Sequence, residues 1–299
     1  MKKDFIELLK EDLDQKYLNH INFIESDKEE KLKNAFQKDD LLEREKLIRD
    51  KVLSSSDLIF NKKLANPFYI GFGNPNSKIL FIGKEKAFSS DNLDLLIKES
   101  INNYAQWKQI LSSNSFDFDQ LDICKNLGFS PLLPKAYYLK KTNSRHTWGI
   151  ISEIVNRIYN PNKKLNENQY LKNSIFDYCF LTELNHIPSK YNEGSGLSKT
   201  RKQFLSNNFY KTFPIVIIGA KSYLKQKEAS EIKDIFNAEY LGDIDLAIIG
   251  KKKPRTLYAK KYKSDCQTIY VCDQLSGMSG WSIPAIEKFA DEITGGNIG

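Results

Sequence analysis

The sequence predicts an α/β protein of three layers, in which helices cover both faces of a central, mostly parallel four-stranded sheet, preceded by an N-terminal helical extension. Four short apolar runs, rich in β-branched and aromatic residues, alternate with helical patterns along the chain. Continuous apolar runs are typical of strands that are buried on both faces of a parallel sheet. The chain has 299 residues, 40% of them hydrophobic and 28% charged, as expected of a globular protein with a sizeable core.

The helical extension is predicted for residues 1–66 and the α/β domain for residues 67–299. Within residues 1–58, apolar side chains recur at helical spacing among mixed charges, and the segment contains neither glycine nor proline. Residues 1–66 carry 14 basic and 15 acidic side chains, which leaves 31 basic and 23 acidic ones for the rest of the chain. The excess positive charge of the α/β domain indicates an anionic partner, with nucleic acid first, or serves solubility alone.

Turn and helix signals bound the four predicted strands. The strands cover residues 78–83, 176–184, 213–219 and 268–272. Helical patterns occupy residues 147–160 and 201–213, and Ser282 followed by Pro284 predicts the start of a last helix. Residues 243–263 are predicted to form an inserted ribbon or loop. Ligands of such sheets bind at the carboxyl ends of the strands, so a site is expected in the segments that follow the strands.

Several classes of protein are not expected. No stretch approaches the ~18–20 apolar residues of a membrane-spanning helix, and acidic residues interrupt the N-terminus where a signal peptide would be apolar. The four cysteines show no C-x-x-C spacing, which argues against a zinc site. The sequence accordingly predicts a cytoplasmic protein without membrane contact, metal or cofactor, and leaves its oligomeric state open.

Two segments after predicted strands hold candidate site residues. Glu85 follows the first strand between Lys84 and Lys86, where a carboxylate can orient a water molecule, and the lysines are expected to favour its ionised form. Asn185 and His186 follow the second strand; the asparagine offers a donor and an acceptor suited to a pyrimidine edge, and the histidine suits acid–base roles. The alternatives are a solvated loop acid at Glu85 and an Asn185 side chain that caps a turn.

The Gly- and Ser-rich loop from Asp273 to Trp281 lies between the last strand and the last helix, which is a natural place for phosphate contacts. Met278 and Trp281 are apolar residues suited to insert between bases. The alternative is an ordinary connection in which Trp281 packs against the start of the last helix.

The strongest nucleic-acid signal is a run of seven basic residues without an acidic one, interleaved with Tyr258 and Tyr262. The run consists of Lys251, Lys252, Lys253, Arg255, Lys260, Lys261 and Lys263. A second basic and aromatic stretch lies at residues 135–145. A solvated positive loop is the alternative interpretation of the main run.

Taken in order, these segments resemble the uracil-DNA glycosylase superfamily over residues 67–293. ILFIGKEKAF (79–88) resembles the first strand and first motif of that family, and FLTELN (180–185) a strand that ends in a base-reading asparagine. FPIVIIGA (213–220) resembles a further strand with its Gly-Ala turn, and QLSGMS (274–279) stands where the family has a His-Pro-Ser loop. The resemblance implies a parallel four-stranded sheet between helices. The iron–sulfur cluster that some branches of the family carry is not expected, because the four cysteines lack the required pattern.

The resemblance also implies roles for catalysis. Glu85 stands at the family's water-activating Asp or Asn, and Gln274 stands at the His that supports the leaving base. Lys86 and Leu275 replace two prolines of the family motifs. Because Gln274 cannot supply a proton as a protonated histidine does, weak activity on uracil or activity on a modified base is expected.

For DNA binding, the resemblance implies that Asn185 reads a flipped base on which Phe88 stacks, with His186 as a further base-binding residue. Met278 stands at the wedge that fills the gap in the duplex, and Ser276 matches the loop serine. The resulting expectation is a DNA glycosylase-like hydrolase that flips and excises uracil or a modified base in DNA repair. The alternatives are a catalytically inactive DNA- or nucleotide-binding module of the same fold and an unrelated nucleotide-binding α/β protein.

Overall fold

A computed structural model describes most of the chain, in segments. The described residues are 3–22, 26–53, 63–85, 93, 95–112, 131, 147–160, 175–188, 197–224, 230–250 and 254–297. Their α-helices are α1 (Lys3–Lys10), α2 (Leu13–His20), α3 (Ser26–Phe36), α4 (Leu41–Leu47), α5 (Asn103–Ser112), α6 (Thr147–Tyr159), α7 (Lys199–Leu205), α8 (Asn208–Lys211), α9 (Ser230–Phe236) and α10 (Ile283–Asn297). Short 3-10 turns lie at Ile175–Asp177, Lys221–Tyr223 and Gly277–Ser279, and π-helical turns span Ile48–Val52 and Leu95–Ile101.

The strands form one seven-stranded sheet. They are β1 (Phe72–Gly73), β2 (Ile79–Gly83), β3 (Cys179–Glu183), β4 (Ile215–Ile218), β5 (Glu239–Ile249), β6 (Arg255–Lys263) and β7 (Thr268–Val271). Their spatial order is β1-β3-β2-β4-β7-β6-β5. The four central strands β3, β2, β4 and β7 are parallel, whereas β1, β6 and β5 run antiparallel to their neighbours.

The α/β class is confirmed, but the prediction of a mostly parallel sheet of four strands was wrong. The sheet has seven strands, and three of its six pairings are antiparallel. All four predicted strands occur, and they are the parallel ones. The two-residue β1 lies within GFGNPNS (71–77), whose glycine, asparagine and proline residues are typical of turns. Hydrogen bonds to β3, and not an apolar run, define this strand. The ribbon predicted at residues 243–263 is the β5–β6 hairpin, which starts at Glu239 and extends the sheet beyond β7.

Both faces of the parallel strands are buried, which explains their continuous apolar sequences. In β2, Leu80 and Ile82 point into a core that includes residues of α1, α5, α7, α8 and α9. Ile79 and Phe81 point into a second core on the opposite face, which includes residues of α6 and α10. A side-chain period of two therefore divides one apolar run between two cores.

The N-terminal residues are helical, as predicted, and their first helix packs against the sheet. The Phe5 side chain of α1 is fully buried, with its ring centroid 5.0 Å from that of Trp107 and 4.7 Å from that of Phe209. The helices α2 to α4 share a smaller core with Leu96, Ile97 and Ile101 of the second π-helical turn. A domain boundary near residue 66 stays a prediction, while the packing of Phe5 joins α1 to the core of the sheet.

Local capping explains how two helices begin. The pattern at residues 201–213 predicted one helix, but the chain forms α7 and α8, separated at Asn207, whose Oδ1 accepts a hydrogen bond from the Phe209 N–H at 3.0 Å. This side chain is an N-cap, so it starts a new helix instead of continuing the previous one. At α10 the predicted N-cap is confirmed, because Ser282 Oγ accepts from the Ala285 N–H at 3.4 Å.

Candidate functional site

The segments that follow the four parallel strands meet at one edge of the sheet. The Asn185 N–H donates to the Lys84 carbonyl at 2.7 Å, which joins the segments after β2 and β3. The Lys221 N–H donates to the Cys272 carbonyl at 3.0 Å, which joins the segments after β4 and β7. The segments in which the sequence predicts a site are therefore neighbours through their backbones, and whether they form one site stays a prediction.

Gly83 allows the segments after β2 and β3 to approach closely. Gly83 and Glu183 are register partners at the ends of β2 and β3. A Cβ atom at position 83 would overlap the Glu183 carboxylate, which leaves no room for any residue larger than glycine unless Glu183 moves. Lys84 and Glu85 therefore follow a strand end that lies directly against the Glu183 side chain.

Glu85 is half-buried at this edge and faces Tyr223. Burial raises the pKa of the Glu85 carboxyl above its usual value, while the Tyr223 hydroxyl and the Lys84 ammonium act to lower it. Lys84 favours the ionised form of Glu85, as expected, but desolvation outweighs its effect; Lys86 lies outside the described residues. A carboxyl whose pKa is raised accepts a proton more readily than an exposed carboxyl does.

Tyr223 lies in the 3-10 turn after β4, and it was missed by the sequence analysis. Desolvation and the neighbouring Glu85 carboxylate raise the pKa of its phenol. Glu85 Oε2 and the Tyr223 hydroxyl are both buried and close enough for the hydroxyl to lower the pKa of Glu85, but neither forms a well-aligned hydrogen bond with any described residue. The Lys84 ammonium lies 5.0 Å from the centroid of the Tyr223 ring, so these three side chains form one group.

Asn185 is buried, and its side chain caps a turn. Its Oδ1 accepts a hydrogen bond from the Ile187 N–H at 3.1 Å. This contact is the turn-capping alternative raised by the sequence. The Nδ2 group donates to no described residue, so a donor and the second lone pair of Oδ1 remain for a ligand.

His186 packs against the N-terminal helices. Its ring lies 6.3 Å from that of His20, at the end of α2, and its Nδ1 lies 3.5 Å from Ser198 Oγ. Burial, Arg201 and His20 together lower the pKa of His186 to about 3. His186 is therefore neutral at physiological pH and cannot act as a cationic acid. The contact with His20 was not foreseen, because the sequence gives no signal that α2 reaches the end of β3.

Arg201 fixes the end of β3. Its guanidinium is fully buried and donates to the carbonyls of Pro67, Tyr69 and Glu183 and to the Thr182 hydroxyl, at 2.6–3.0 Å. Such a saturated fork of hydrogen bonds is what makes a buried arginine tolerable. The strand end that leads to Asn185 is held rigidly as a result.

A largely buried ion pair links the ends of β4 and β7. Lys221 Nζ lies 3.1 Å from Asp273 Oδ1 and 3.8 Å from the centroid of the Tyr258 ring. Arg255, at the start of β6, approaches Asp273 Oδ2 at 3.6 Å. Sequence reasoning flagged the segments of Lys221 and Asp273 but not the pair, which depends on β4 and β7 being neighbours.

The loop after β7 presents one apolar side chain to solvent. Met278 is 99% exposed, and Gln274 is exposed as well. The Ser276 hydroxyl lies 3.0 Å from the Ser279 hydroxyl. Trp281 is buried, with its ring 5.4 Å from that of Phe289, so its packing role is the one observed.

The β5–β6 hairpin projects beyond the same edge. Because β6 runs antiparallel to β7, its first residue, Arg255, lies past the carboxyl end of β7. Its side chain is 59% exposed. Lys260 lies 5.6 Å from the centroid of the Tyr240 ring, while Lys261 forms an ion pair with Glu292 of α10 at 2.7 Å. Lys261 thus contributes to packing on the α10 side of the sheet.

Some predicted site residues lie outside the described part of the chain. They are Phe88, Lys251, Lys252, Lys253 and the basic stretch at residues 135–145. Within the described segments, no helix combines the length and apolar character needed to cross a membrane. The same segments hold no cluster of three or more Asp, Glu, His or Cys side chains arranged to bind a metal ion.

Comparisons with models of known families, with curated proteins and with solved structures find no match to this chain. The resemblance to the uracil-DNA glycosylase superfamily therefore stays a prediction, and the candidate function rests on the chemistry of the site.

Proposed function

We propose that this protein is a DNA glycosylase-like hydrolase that takes a uracil or modified base out of DNA and cleaves its N-glycosidic bond. The observation that carries the proposal is the position of Glu85, whose half-buried carboxyl has an unpaired oxygen at the edge where all four parallel strands end. A carboxylate in such a place can accept a proton from water and stabilise positive charge on a sugar.

Asn185 supports the same proposal, because its segment is hydrogen-bonded to the segment of Glu85. The Asn185 amide offers a donor through Nδ2 and a lone pair on Oδ1, the pattern that reads the edge of a pyrimidine. The backbone hydrogen bond between Asn185 and Lys84 keeps the two segments adjacent, as the proposal requires of a base reader and an acid–base residue.

The positive hairpin supports DNA as the partner. Arg255 lies at the carboxyl edge of the sheet, and Lys251, Lys252 and Lys253 closely precede it in the sequence. Basic side chains on one edge attract phosphates without regard to base sequence. Met278, exposed on the adjoining loop, is suited to occupy the gap that a flipped base leaves.

A second candidate function is DNA or nucleotide binding without chemistry. Two observations favour it: Gln274 is neutral, and His186 is held neutral by burial, so neither can protonate a departing base. An enzyme with this site would release a base that leaves readily as an anion, or would rely on solvent for the proton.

The product distinguishes the two functions. Oligonucleotides that each carry one uracil or one modified base are incubated with the protein and then heated in alkali, which cleaves abasic sites. Strand cleavage on at least one lesion is expected from a glycosylase. Retarded mobility of the DNA in a binding assay without cleavage on any lesion would contradict the enzymatic proposal and favour the binding module.

A further inference from the structure

Two buried oxygens are neighbours at the candidate site. The Tyr223 hydroxyl is close enough to Glu85 to lower the pKa of its carboxyl as a hydrogen-bond donor does, yet neither that hydroxyl nor Glu85 Oε2 forms a well-aligned hydrogen bond with any described residue. More than 90% of buried polar groups in proteins are hydrogen-bonded, so two adjacent exceptions require a reason. A third group that bonds to both oxygens would satisfy them together.

The surrounding contacts fix Tyr223 in place. Its own N–H donates to the Ala220 carbonyl at 2.9 Å, and the Lys221 N–H anchors the same turn to Cys272 at 3.0 Å. The Lys84 ammonium covers the ring at 5.0 Å from its centroid. Tyr223 is thus held from both its backbone and its ring, and its hydroxyl is directed to Glu85.

We propose that Tyr223 is a positioning residue that, together with Glu85, holds the water molecule used in hydrolysis. The inference rests on the proposed function and names the residue that orients the nucleophile. The water donates one O–H to Glu85 Oε2 and the other to the Tyr223 oxygen, so its lone pair points away from both. The phenol keeps its own proton, because burial and Glu85 raise its pKa.

The chemical step follows from this arrangement. The water oxygen forms a bond to the sugar C1′ as the C1′–N bond breaks, and the electron pair of that bond leaves with the base. The water proton that faces Glu85 passes to its carboxylate. The base anion takes a proton from solvent, and Glu85 later returns its proton to solvent, so that one water is consumed for each base released.

The test uses the full chain with Tyr223→Phe, which removes the hydroxyl but keeps the ring under Lys84. The expected result is a single-turnover rate of base release lower by about 100-fold, the usual effect of misplacing a reacting group by about 1 Å, with unchanged affinity for DNA. Tyr178→Phe is the matched control, because Tyr178 is exposed and precedes β3 at the opposite edge of the sheet. It should react at the wild-type rate.

A second readout separates this inference from a general loss of structure. The Tyr223 hydroxyl lowers the pKa of Glu85, so its removal should raise that pKa and move the acidic limb of the pH–rate profile to higher pH. The titration of ¹³C-labelled glutamate, assigned with Glu85→Gln, measures the same pKa without activity; Lys84 and Tyr223 are the groups that act on it.

A wild-type rate with an unchanged profile in Tyr223→Phe would overturn the role of Tyr223 alone. No base release by wild-type protein would overturn the proposed function and the hydrolytic role together.

Discussion

The Asn185 N–H donates a 2.7 Å hydrogen bond to the carbonyl of Lys84, so the segments that follow β2 and β3 are joined directly. Lys84 precedes the candidate acid–base residue Glu85, and Asn185 is the candidate base reader. One backbone contact therefore keeps the segments of the two candidate residues adjacent. Arg201, which binds the carbonyl of Glu183, keeps the end of β3 in the matching position.

The raised pKa of Glu85 predicts a gain in stability when the carboxyl is removed. The native state holds the Glu85 proton to a higher pH than the unfolded state does, so ionisation lowers the free energy of unfolding as the pH rises through the native pKa. Glu85→Gln should therefore melt at a higher temperature than wild type at pH 7.5, and the difference should shrink once the pH is low enough to protonate the carboxyl in both states. Melting curves across this pH range test the prediction, and equal melting temperatures at pH 7.5 would contradict the desolvation of Glu85.

The lowered pKa of His186 predicts that the protein loses stability in acid. Its pKa is about 3 in the native state and about 6.5 when unfolded, so the unfolded state binds the extra proton first, and stability falls as the pH drops below 6.5. At pH 5 the loss from this residue should be about 2 kcal/mol. Urea unfolding of wild type and His186→Asn at pH 7.5 and pH 5 measures it. The variant should lose less stability on acidification, and parallel losses would contradict the burial of His186.

The complete burial of the Phe5 side chain predicts that α1 and the sheet unfold together. Phe5→Ala empties a fully buried site between Trp107 and Phe209 and should lower the free energy of unfolding by about 3–5 kcal/mol. Ile6→Ala is the control, because the neighbouring Ile6 is 36% exposed. Urea unfolding of both variants decides the matter. Similar small effects for the two changes would mean that α1 is an accessory and that the boundary near residue 66 separates folding units.

The hairpin predicts the salt dependence of DNA binding. Replacing Lys251, Lys252 and Lys253 with alanine should flatten the plot of log affinity against log salt concentration by roughly one unit for each DNA phosphate that these lysines neutralise. Lys10→Ala is the control, since Lys10 is an exposed lysine of α1 that pairs with Glu7. An unchanged slope in the triple variant would exclude residues 251–253 from the DNA interface.

The sequence located all four parallel strands but not the contacts between side chains from different strands and helices. Strands β2, β4 and β7 are buried on both faces, so continuous apolar runs mark them. Most residues of β5 are exposed or partly exposed, and several of them are acidic, so β5 has no continuous apolar run that would mark it as a strand. Lys221, Tyr223 and His20 were missed because their partners Asp273, Glu85 and His186 come from distant parts of the chain. Contacts between residues so distant in the sequence depend on strand order and helix packing, which the local sequence pattern does not specify.

The single-turnover rate of base release by Glu85→Gln tests the central claim most directly. Gln keeps the shape of the side chain but cannot accept the water proton, and it removes a negative charge near DNA phosphates. At saturating protein and pH 7.5, on whichever lesion wild-type protein cleaves, the rate should fall about 10²–10⁴-fold while DNA affinity stays equal or rises. Release at the wild-type rate would contradict the assignment of Glu85 as the acid–base residue.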